Sequence, residues 1–218
     1  MGKKAIILGA SGLTGKLLLN RLLEDEAYES ITIFTRRTLN LKHPKLQEYV
    51  VDLLQLENCK ADFTGDEVFC CIGTTARKTK DKAIYKKIDF GIPRMAAKLC
   101  KENKIETFVV ISALGANTES KVFYNRTKGE MEQAVLGKKI LNTYILRPSL
   151  IEGKRSEKRI GERIGAFIMK ALHPFLLGGW RKYRAIEAAT IASAMHALAK
   201  LKPDYKIVES DRIQEIGA

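Results

Sequence analysis

The sequence predicts a doubly wound α/β fold, a parallel sheet covered by helices on both faces. Short apolar runs alternate with longer helix-like stretches as far as Pro148. This alternation is typical of parallel strands that are joined by right-handed helical crossovers. The runs are almost continuously apolar and rich in Val, Ile, Phe and Tyr, as in strands that are buried on both faces.

Six strands are predicted before Pro148, namely Lys4–Gly9, Ser30–Thr35, Leu46–Val51, Glu67–Ile72, Thr107–Ser112 and Asn142–Arg147. Helices are predicted over Gly12–Glu24, over a long stretch ending at Lys104 and over Phe123–Leu136. After Pro148 the pattern changes to two amphipathic helices, Ile160–Leu172 and Arg184–Leu201, and a late strand at Tyr205–Glu209. We therefore expect one domain, with a core over residues 1–150 and a small C-terminal lobe over residues 151–218 that forms the substrate side.

The composition is typical of a globular protein. The chain has 218 residues, of which 45% are hydrophobic and 29% charged, which is enough for one sizeable core. Its cysteines (Cys59, Cys70, Cys71 and Cys100) lack the spacing of a zinc site, and we expect reduced, mostly buried thiols. The apolar runs are too short to span a bilayer, and no signal-peptide pattern precedes the first strand. The cytoplasm is the expected compartment.

The net charge is strongly positive, at +13. Basic residues cluster over Lys154–Arg159 and over a second group of Arg77, Lys78, Lys80 and Lys82. Such a surface attracts anions, including dinucleotide phosphates, nucleic acid and anionic lipid. We interpret the clusters as solvated faces. No aromatic residues interleave with them as single-strand binding requires, so we expect neither a nucleic-acid nor a membrane partner.

The first predicted strand leads into a glycine-rich turn, Gly9-Ala10-Ser11-Gly12-Leu13-Thr14-Gly15, and then into a helix. A tight strand-to-helix reversal favours glycine at Gly9. Close approach of the backbone to a pyrophosphate favours it at Gly12, and close packing of helix on strand favours it at Gly15. The helix N-terminus then presents N–H groups to the phosphates. We predict that the turn, including Ser11, Leu13 and Thr14, binds a dinucleotide as in the Rossmann fold.

The residues after the next strands predict which dinucleotide binds. The second strand ends in Arg36 and Arg37 with no acidic residue at its tip. An acidic residue there binds the ribose hydroxyls of NAD, whereas guanidinium groups bind a 2′-phosphate. NADP(H) is therefore preferred, with NAD(H) left open. Asp52 is placed to contact the adenine, and Gly73, Thr74 and Thr75 are expected to line the dinucleotide from the other side.

Three residues form a candidate catalytic set. Tyr124 and Lys128 are spaced i and i+4, so they share one face of a helix. A lysine ammonium near a phenol lowers the pKa of the phenol, which then exchanges a proton with a substrate oxygen during hydride transfer. Ser112, at the carboxyl end of a strand, is placed to hydrogen-bond the same oxygen. The pattern predicts an oxidoreductase.

Taken together, these motifs resemble those of the atypical short-chain dehydrogenases/reductases, in the branch that contains the Tat-interactive oxidoreductase-like protein and its bacterial relatives. The resemblance is carried by the stretches 9–15, 69–75, 124–130 and 146–149. It implies a Rossmann fold, NADP(H) binding, and Ser112, Tyr124 and Lys128 as the catalytic set. It also implies that the stretch Ile88-Asp89-Phe90 places a helix residue near the catalytic lysine, with Asp89 where classical members have asparagine. Ser149 stands where extended members have glycine.

Three functions stay open at this point. The favoured one is an NADP(H)-dependent oxidoreductase that reduces a carbonyl or oxidises an alcohol on a small substrate. The others are a nucleotide-sugar epimerase or dehydratase, and an NADPH-sensing regulatory or scaffold protein without turnover. A homodimer also stays open. We interpret the histidines (His43, His173 and His196) as structural and Trp180 as a packing anchor, while Arg147 is left between substrate binding and an ion pair.

Overall fold

A computed structural model describes residues 2–153 and 178–218 of the chain. Its strands are β1 (Lys3–Leu8), β2 (Tyr28–Thr35), β3 (Leu46–Val50), β4 (Glu67–Cys70), β5 (Thr107–Ile111), β6 (Asn142–Arg147), β7 (Ile151–Glu152), β8 (Ile186–Glu187) and β9 (Ile207–Glu209). Its α-helices are α1 (Leu13–Glu24), α2 (Lys82–Lys86), α3 (Ile92–Glu102), α4 (Phe123–Leu136), α5 (Ala188–Leu201) and α6 (Ser210–Gly217). A π-helical turn (Lys87–Gly91) joins α2 to α3, and 3₁₀ turns cover Leu53–Cys59 and Gly178–Tyr183.

Seven of these strands form one parallel sheet in the order β3-β2-β1-β4-β5-β6-β9. The order reverses between β1 and β4, which is the topological switch point where doubly wound sheets bind their ligands. β7 and β8 form a separate parallel pair. The predicted doubly wound α/β fold is therefore confirmed.

Two apolar cores lie on the two faces of the sheet, because successive side chains of a strand point to opposite faces. Ile7 belongs to the core under α1 and α5, whereas Ile6 and Leu8 belong to the core under α3 and α4. The neighbouring Cys70 and Cys71 are divided in the same way. Both faces are covered, as the nearly continuous apolar runs predicted.

The cysteines are free thiols, and burial raises the pKa of Cys70 to about 11. A fully buried thiol of this kind is poorly reactive because the thiolate is disfavoured. No helix among residues 2–153 and 178–218 is long and apolar enough to cross a membrane.

The predicted strands agree with the observed ones to within two residues at either end. The helix predicted over Arg184–Leu201 begins instead at Ala188, because Ile186 and Glu187 pair with β7. The C-terminal helix α6 was not predicted. The helix Ile160–Leu172, the basic cluster Lys154–Arg159, His173 and the side chain of Trp180 lie outside the described residues.

Candidate active site

The segments predicted to bind cofactor all leave the same edge of the sheet. Leu8 of β1 is in register with Phe34 of β2 and with Cys70 of β4. Thr35 is likewise in register with Val50 of β3. Because the strands are parallel, their carboxyl ends open onto one crevice. The glycine turn, the arginines after β2, Asp52 and the loop after β4 therefore share one edge.

The backbone geometry of the turn requires glycine at two positions. Gly9 has a φ of +85°, and a Cβ there would lie 2.9 Å from the backbone of Cys71. A Cβ at Gly15 would lie 2.2 Å from the carbonyl oxygen of Gly9, so any larger residue would push α1 off the strand. These two roles are the ones that the spacing predicted.

Gly12 is under a weaker internal constraint. It is the N-cap of α1, and it supplies no side-chain hydrogen bond to the helix. A Cβ there would meet Gly9 O at 3.2 Å, with no other atom within 4 Å. The N-terminus of α1 therefore has no side-chain cap at Gly12, and its dipole and first N–H groups fit a pyrophosphate. Ser11 beside it is exposed, Leu13 is half-buried and Thr14 is buried.

The arginine pair lies at the tip of β2, where both residues are exposed. The hydroxyl of Thr35 donates to the carbonyl oxygen of Arg37 at 2.9 Å. Glu48 of β3 fixes the following loop, since it accepts from the hydroxyl of Thr38 at 2.6 Å and from the N–H of Leu39 at 2.8 Å. Sequence reasoning missed Glu48, because nothing in the sequence pairs it with this loop.

Asp52 is exposed and has a local structural role. It is the N-cap of the 3₁₀ turn after β3, where its carboxylate accepts from the N–H of Leu54 at 2.9 Å. Its predicted adenine contact stays a prediction.

The centre of the site is a buried ion pair between two helical segments. The Nζ of Lys128 lies 2.9 Å from Oδ1 of Asp89, and the two side chains are only 4% and 0% exposed. The other carboxylate oxygen of Asp89 accepts from the N–H of Thr74 at 2.8 Å. A Cβ on Gly73 would lie 3.6 Å from Asp89 Oδ1. The ion pair therefore lies directly beneath the loop after β4.

The π-helical turn Lys87–Gly91 places Asp89 at the ion pair. Single π turns inside helices are rare overall, and those that occur are often found at functional sites. The resemblance implied a helix residue of the stretch 88–90 near Lys128, and the structure places Asp89 there. Burial alone lowers the pKa of Lys128, but the charge of Asp89, and secondarily Tyr124, raise it above the ordinary lysine value. The lysine is therefore held as an ammonium.

Tyr124 lies one helical turn before Lys128 and keeps 39% of its surface exposed. Its ring meets that of buried Tyr85 edge-on, with centroids 6.5 Å apart. Desolvation raises the pKa of Tyr124, Lys128 lowers it and Asp89 raises it, so that the result is above the ordinary tyrosine value. Lys128 therefore lowers the pKa of the phenol, as expected, but desolvation of the phenol, with a smaller contribution from Asp89, outweighs this effect. The phenol is a neutral proton donor.

Ser112 is buried at the end of β5, where its hydroxyl is engaged by a residue of α4. It donates to Oε1 of Glu132 at 2.5 Å. Glu132 is also bound by the guanidinium of Arg147 at 2.9 and 2.6 Å, and Arg147 reaches Glu209 at 3.0 Å. Arg147 is therefore an ion-pair residue. The hydroxyl of Ser112 is engaged by Glu132, and its predicted contact with a substrate oxygen stays a prediction.

The remaining singled-out residues have structural partners. Nε2 of His196 lies 2.9 Å from Asp25, and its ring lies against Tyr28. Nδ1 of His43 accepts from the N–H of Lys45. The hydroxyl of Ser149 donates to the carbonyl oxygen of Arg184, which ties the end of β6 to the segment before β8.

Comparison with known proteins agrees with this geometry. A sequence family described as NAD(P)H-binding matches residues 9–163. The protein HTATIP2 of Rattus norvegicus is 31% identical over 99% of this chain and 89% of its own length. The mitochondrial protein FMP52 of Debaryomyces hansenii is 35% identical over 71% of this chain and 70% of its own length.

Solved structures share the fold. The enzyme WbmH of Bordetella bronchiseptica, in complex with NAD⁺, superposes with a TM-score of 0.74 at 12% identity, over 96% of this chain and 75% of WbmH. The UDP-glucose 4-epimerase of Thermotoga maritima, with UDP-glucose, gives 0.71 at 17% identity, over 94% and 75%. At these identities the likeness shows the fold alone.

Proposed function

We propose that this chain, which belongs to the NAD(P)H-binding family and is an atypical short-chain dehydrogenase/reductase, is an NADP(H)-dependent oxidoreductase that interconverts a carbonyl and an alcohol on a small substrate. One observation carries the proposal. Lys128, which is buried and charged, follows the partly exposed, neutral Tyr124 by one helical turn at the carboxyl edge of the sheet. Burying a charged lysine costs desolvation free energy, and a proton-transfer site makes use of such a fixed charge beside its donor.

The residues present fit a bound dinucleotide. The glycine turn leaves a backbone cradle at the N-terminus of α1, and the loop at Gly73 and Thr74 runs over the ion pair. The nicotinamide ring, when bound, supplies or accepts the hydride. Lys128 would hold the adjoining ribose through its ammonium. The exposed Arg36 and Arg37 support NADP(H) over NAD(H), because guanidinium groups bind a 2′-phosphate in the forked geometry that it needs.

Tyr124 carries the proton in this proposal. As a neutral phenol it donates its proton to the carbonyl oxygen in the reducing direction, and the resulting phenolate lies within the field of Lys128. The raised pKa of Tyr124 keeps the phenol protonated, so that the proton is present before reduction begins. Ser112 would polarise the oxygen only after its hydroxyl had left Glu132. We therefore assign proton transfer to Tyr124 alone.

The test measures NADPH oxidation by the purified chain over a panel of aldehydes and ketones. Tyr124→Phe is expected to reduce kcat by roughly 10²- to 10⁴-fold, while the Kd for NADPH stays unchanged. Tyr205→Phe is the matched control, because Tyr205 has a similar exposure and lies beyond α5. Turnover that survives in Tyr124→Phe would refute the assignment.

One observation supports a second candidate, a dinucleotide-sensing protein without turnover. The hydroxyl of Ser112 and the charge of Lys128 both have partners within the protein. If no carbonyl compound is reduced, and binding of a partner protein changes with NADPH, this candidate replaces the enzyme. The solved structures share only the fold with this chain, so they do not favour the epimerase alternative.

For the compartment we propose the cytoplasm, because four free thiols suit a reducing environment. FMP52 relatives carry the word mitochondrial in their names. Fractionation of the cells that make the protein decides between the cytoplasm and an organelle.

A further inference from the structure

A basic segment, residues 77–87, follows the loop over the ion pair. It contains six lysines and arginines and one acidic residue, Asp81. The carboxylate of Asp81 is committed to capping α2, where it accepts from the N–H groups of Ala83 and Ile84 at 2.7 and 3.0 Å. The positive charge of the segment is therefore not neutralised from within.

Two cations are held around one ring at the start of α4. The ammonium of Lys82 lies 5.6 Å from the ring centroid of Phe123, and the guanidinium of Arg126 lies 6.0 Å from the same centroid. One N–H of Arg126 donates to the carbonyl oxygen of Ser120 at 2.7 Å, which fixes the arginine in place. Both cations are thus positioned by contacts with the same element.

Neither Lys82 nor Arg126 has a carboxylate partner among residues 2–153 and 178–218. Lys86 at the other end of α2 shows the contrast, because its ammonium lies 2.6 Å from Glu130. Two like charges near one ring repel each other, and a bound anion relieves that repulsion. The arrangement is therefore suited to an anionic ligand.

This pair of cations lies beside the proposed proton donor. Phe123 directly precedes Tyr124 in α4, and the ring of Tyr85 contacts both, with centroids at 5.5 and 6.5 Å. Val122, one residue earlier, is 57% exposed and adds an apolar surface at the same place. A substrate whose carbonyl meets Tyr124 therefore extends over apolar side chains toward two cations.

We infer that Lys82 and Arg126 form an anion-binding subsite next to Tyr124, and that the substrate is a carbonyl compound with an apolar body and a carboxylate or phosphate group. This inference rests on the proposed function for its carbonyl, but the anion contact stands apart from turnover. The carboxylate and the phosphate share the chemistry of charge-assisted hydrogen bonds to lysine and arginine.

The first experiment compares kcat/KM for three aldehydes with the same ring: 4-formylbenzoate, 4-formylphenyl phosphate and neutral 4-formylbenzamide. We expect the wild-type protein to prefer at least one anionic aldehyde over the amide by about tenfold or more. Lys82→Met and Arg126→Met are each expected to lose most of that preference while leaving the amide unchanged. Lys206→Met is the control, since Lys206 is exposed ahead of β9.

The second experiment measures binding without turnover, by calorimetric titration of benzoate, phenyl phosphate and benzamide into the protein saturated with NADP⁺. Anion binding that is lost in Lys82→Met and Arg126→Met, with no reduction of any aldehyde, would support the subsite and overturn the proposed function. Reduction of all three aldehydes with equal kcat/KM would support the function and overturn the subsite. Binding of both benzoate and phenyl phosphate no tighter than the binding of benzamide would also overturn the subsite.

Discussion

The buried pair Asp89–Lys128 gives the sharpest prediction about stability. At 2.9 Å and an effective dielectric constant of about 20, the attraction between the two charges is about 6 kcal/mol, and desolvation of both groups opposes it. Removing one partner leaves the other charge buried, which costs about 3 to 5 kcal/mol. Asp89→Asn and Lys128→Met are each expected to lower the free energy of unfolding by this amount.

The double variant Asp89→Asn/Lys128→Met leaves no unpaired charge. It is therefore expected to cost less than the sum of the two single variants, with a coupling energy of about 2 to 3 kcal/mol. The asparagine amide oxygen still accepts from the N–H of Thr74, so that contact is retained.

The assay is urea unfolding of the protein without cofactor, for the wild type, both single variants and the double variant. A matched cycle on Lys86 and Glu130 serves as the control, because this pair joins the same region of the fold but has side chains 47% and 31% exposed. An exposed pair is expected to couple by less than about 1 kcal/mol. A coupling energy between Asp89 and Lys128 no larger than the control would refute the reasoning.

Three further predictions concern the site. Because desolvation and Asp89 raise the pKa of Tyr124, the rate of carbonyl reduction is expected to hold as the pH rises through the ordinary tyrosine value of 10.0. At still higher pH the phenol ionises and kcat/KM falls. In Asp89→Asn this fall is expected at lower pH, because the charge that raises the pKa of Tyr124 is removed, and an unchanged pH profile would contradict this reasoning. Gly15→Ala forces α1 away from a backbone carbonyl and is expected to weaken NADPH binding by about tenfold or more, measured by fluorescence titration. Ser112→Ala removes a hydrogen bond to Glu132, so it should lower the free energy of unfolding by about 1 to 2 kcal/mol and change kcat by less than about threefold. A large loss of kcat at unchanged stability would instead support a catalytic role for Ser112.

The parts of this structure that follow from local patterns were predictable. The sheet was predicted by the periodicity of its strands, and the roles of Gly9 and Gly15 by their spacing around one reversal. The placement of Tyr124 and Lys128 one turn apart follows from helix geometry alone. Each of these depends on neighbours in the sequence.

The parts that depend on how elements dock were not predictable in the same way. Asp89 reaches Lys128 because a π turn shifts the register of its helix. Desolvation of Tyr124, to which Asp89 adds, outweighs the lowering effect of Lys128 on the pKa of the phenol. Ser112 turns to Glu132 because α4 lies over the end of β5 with that side chain inward. No local pattern in the sequence joins these residues.

A titration of the purified protein with NADPH and with NADH, followed by nicotinamide fluorescence, measures which dinucleotide the crevice prefers. We expect NADPH to bind about tenfold or more tightly than NADH. The double variant Arg36→Leu/Arg37→Leu should remove this difference by weakening NADPH alone, while Arg94→Leu, another exposed arginine, should leave it intact. Equal affinities in the wild type, or a preference that survives the loss of both arginines, would contradict the account.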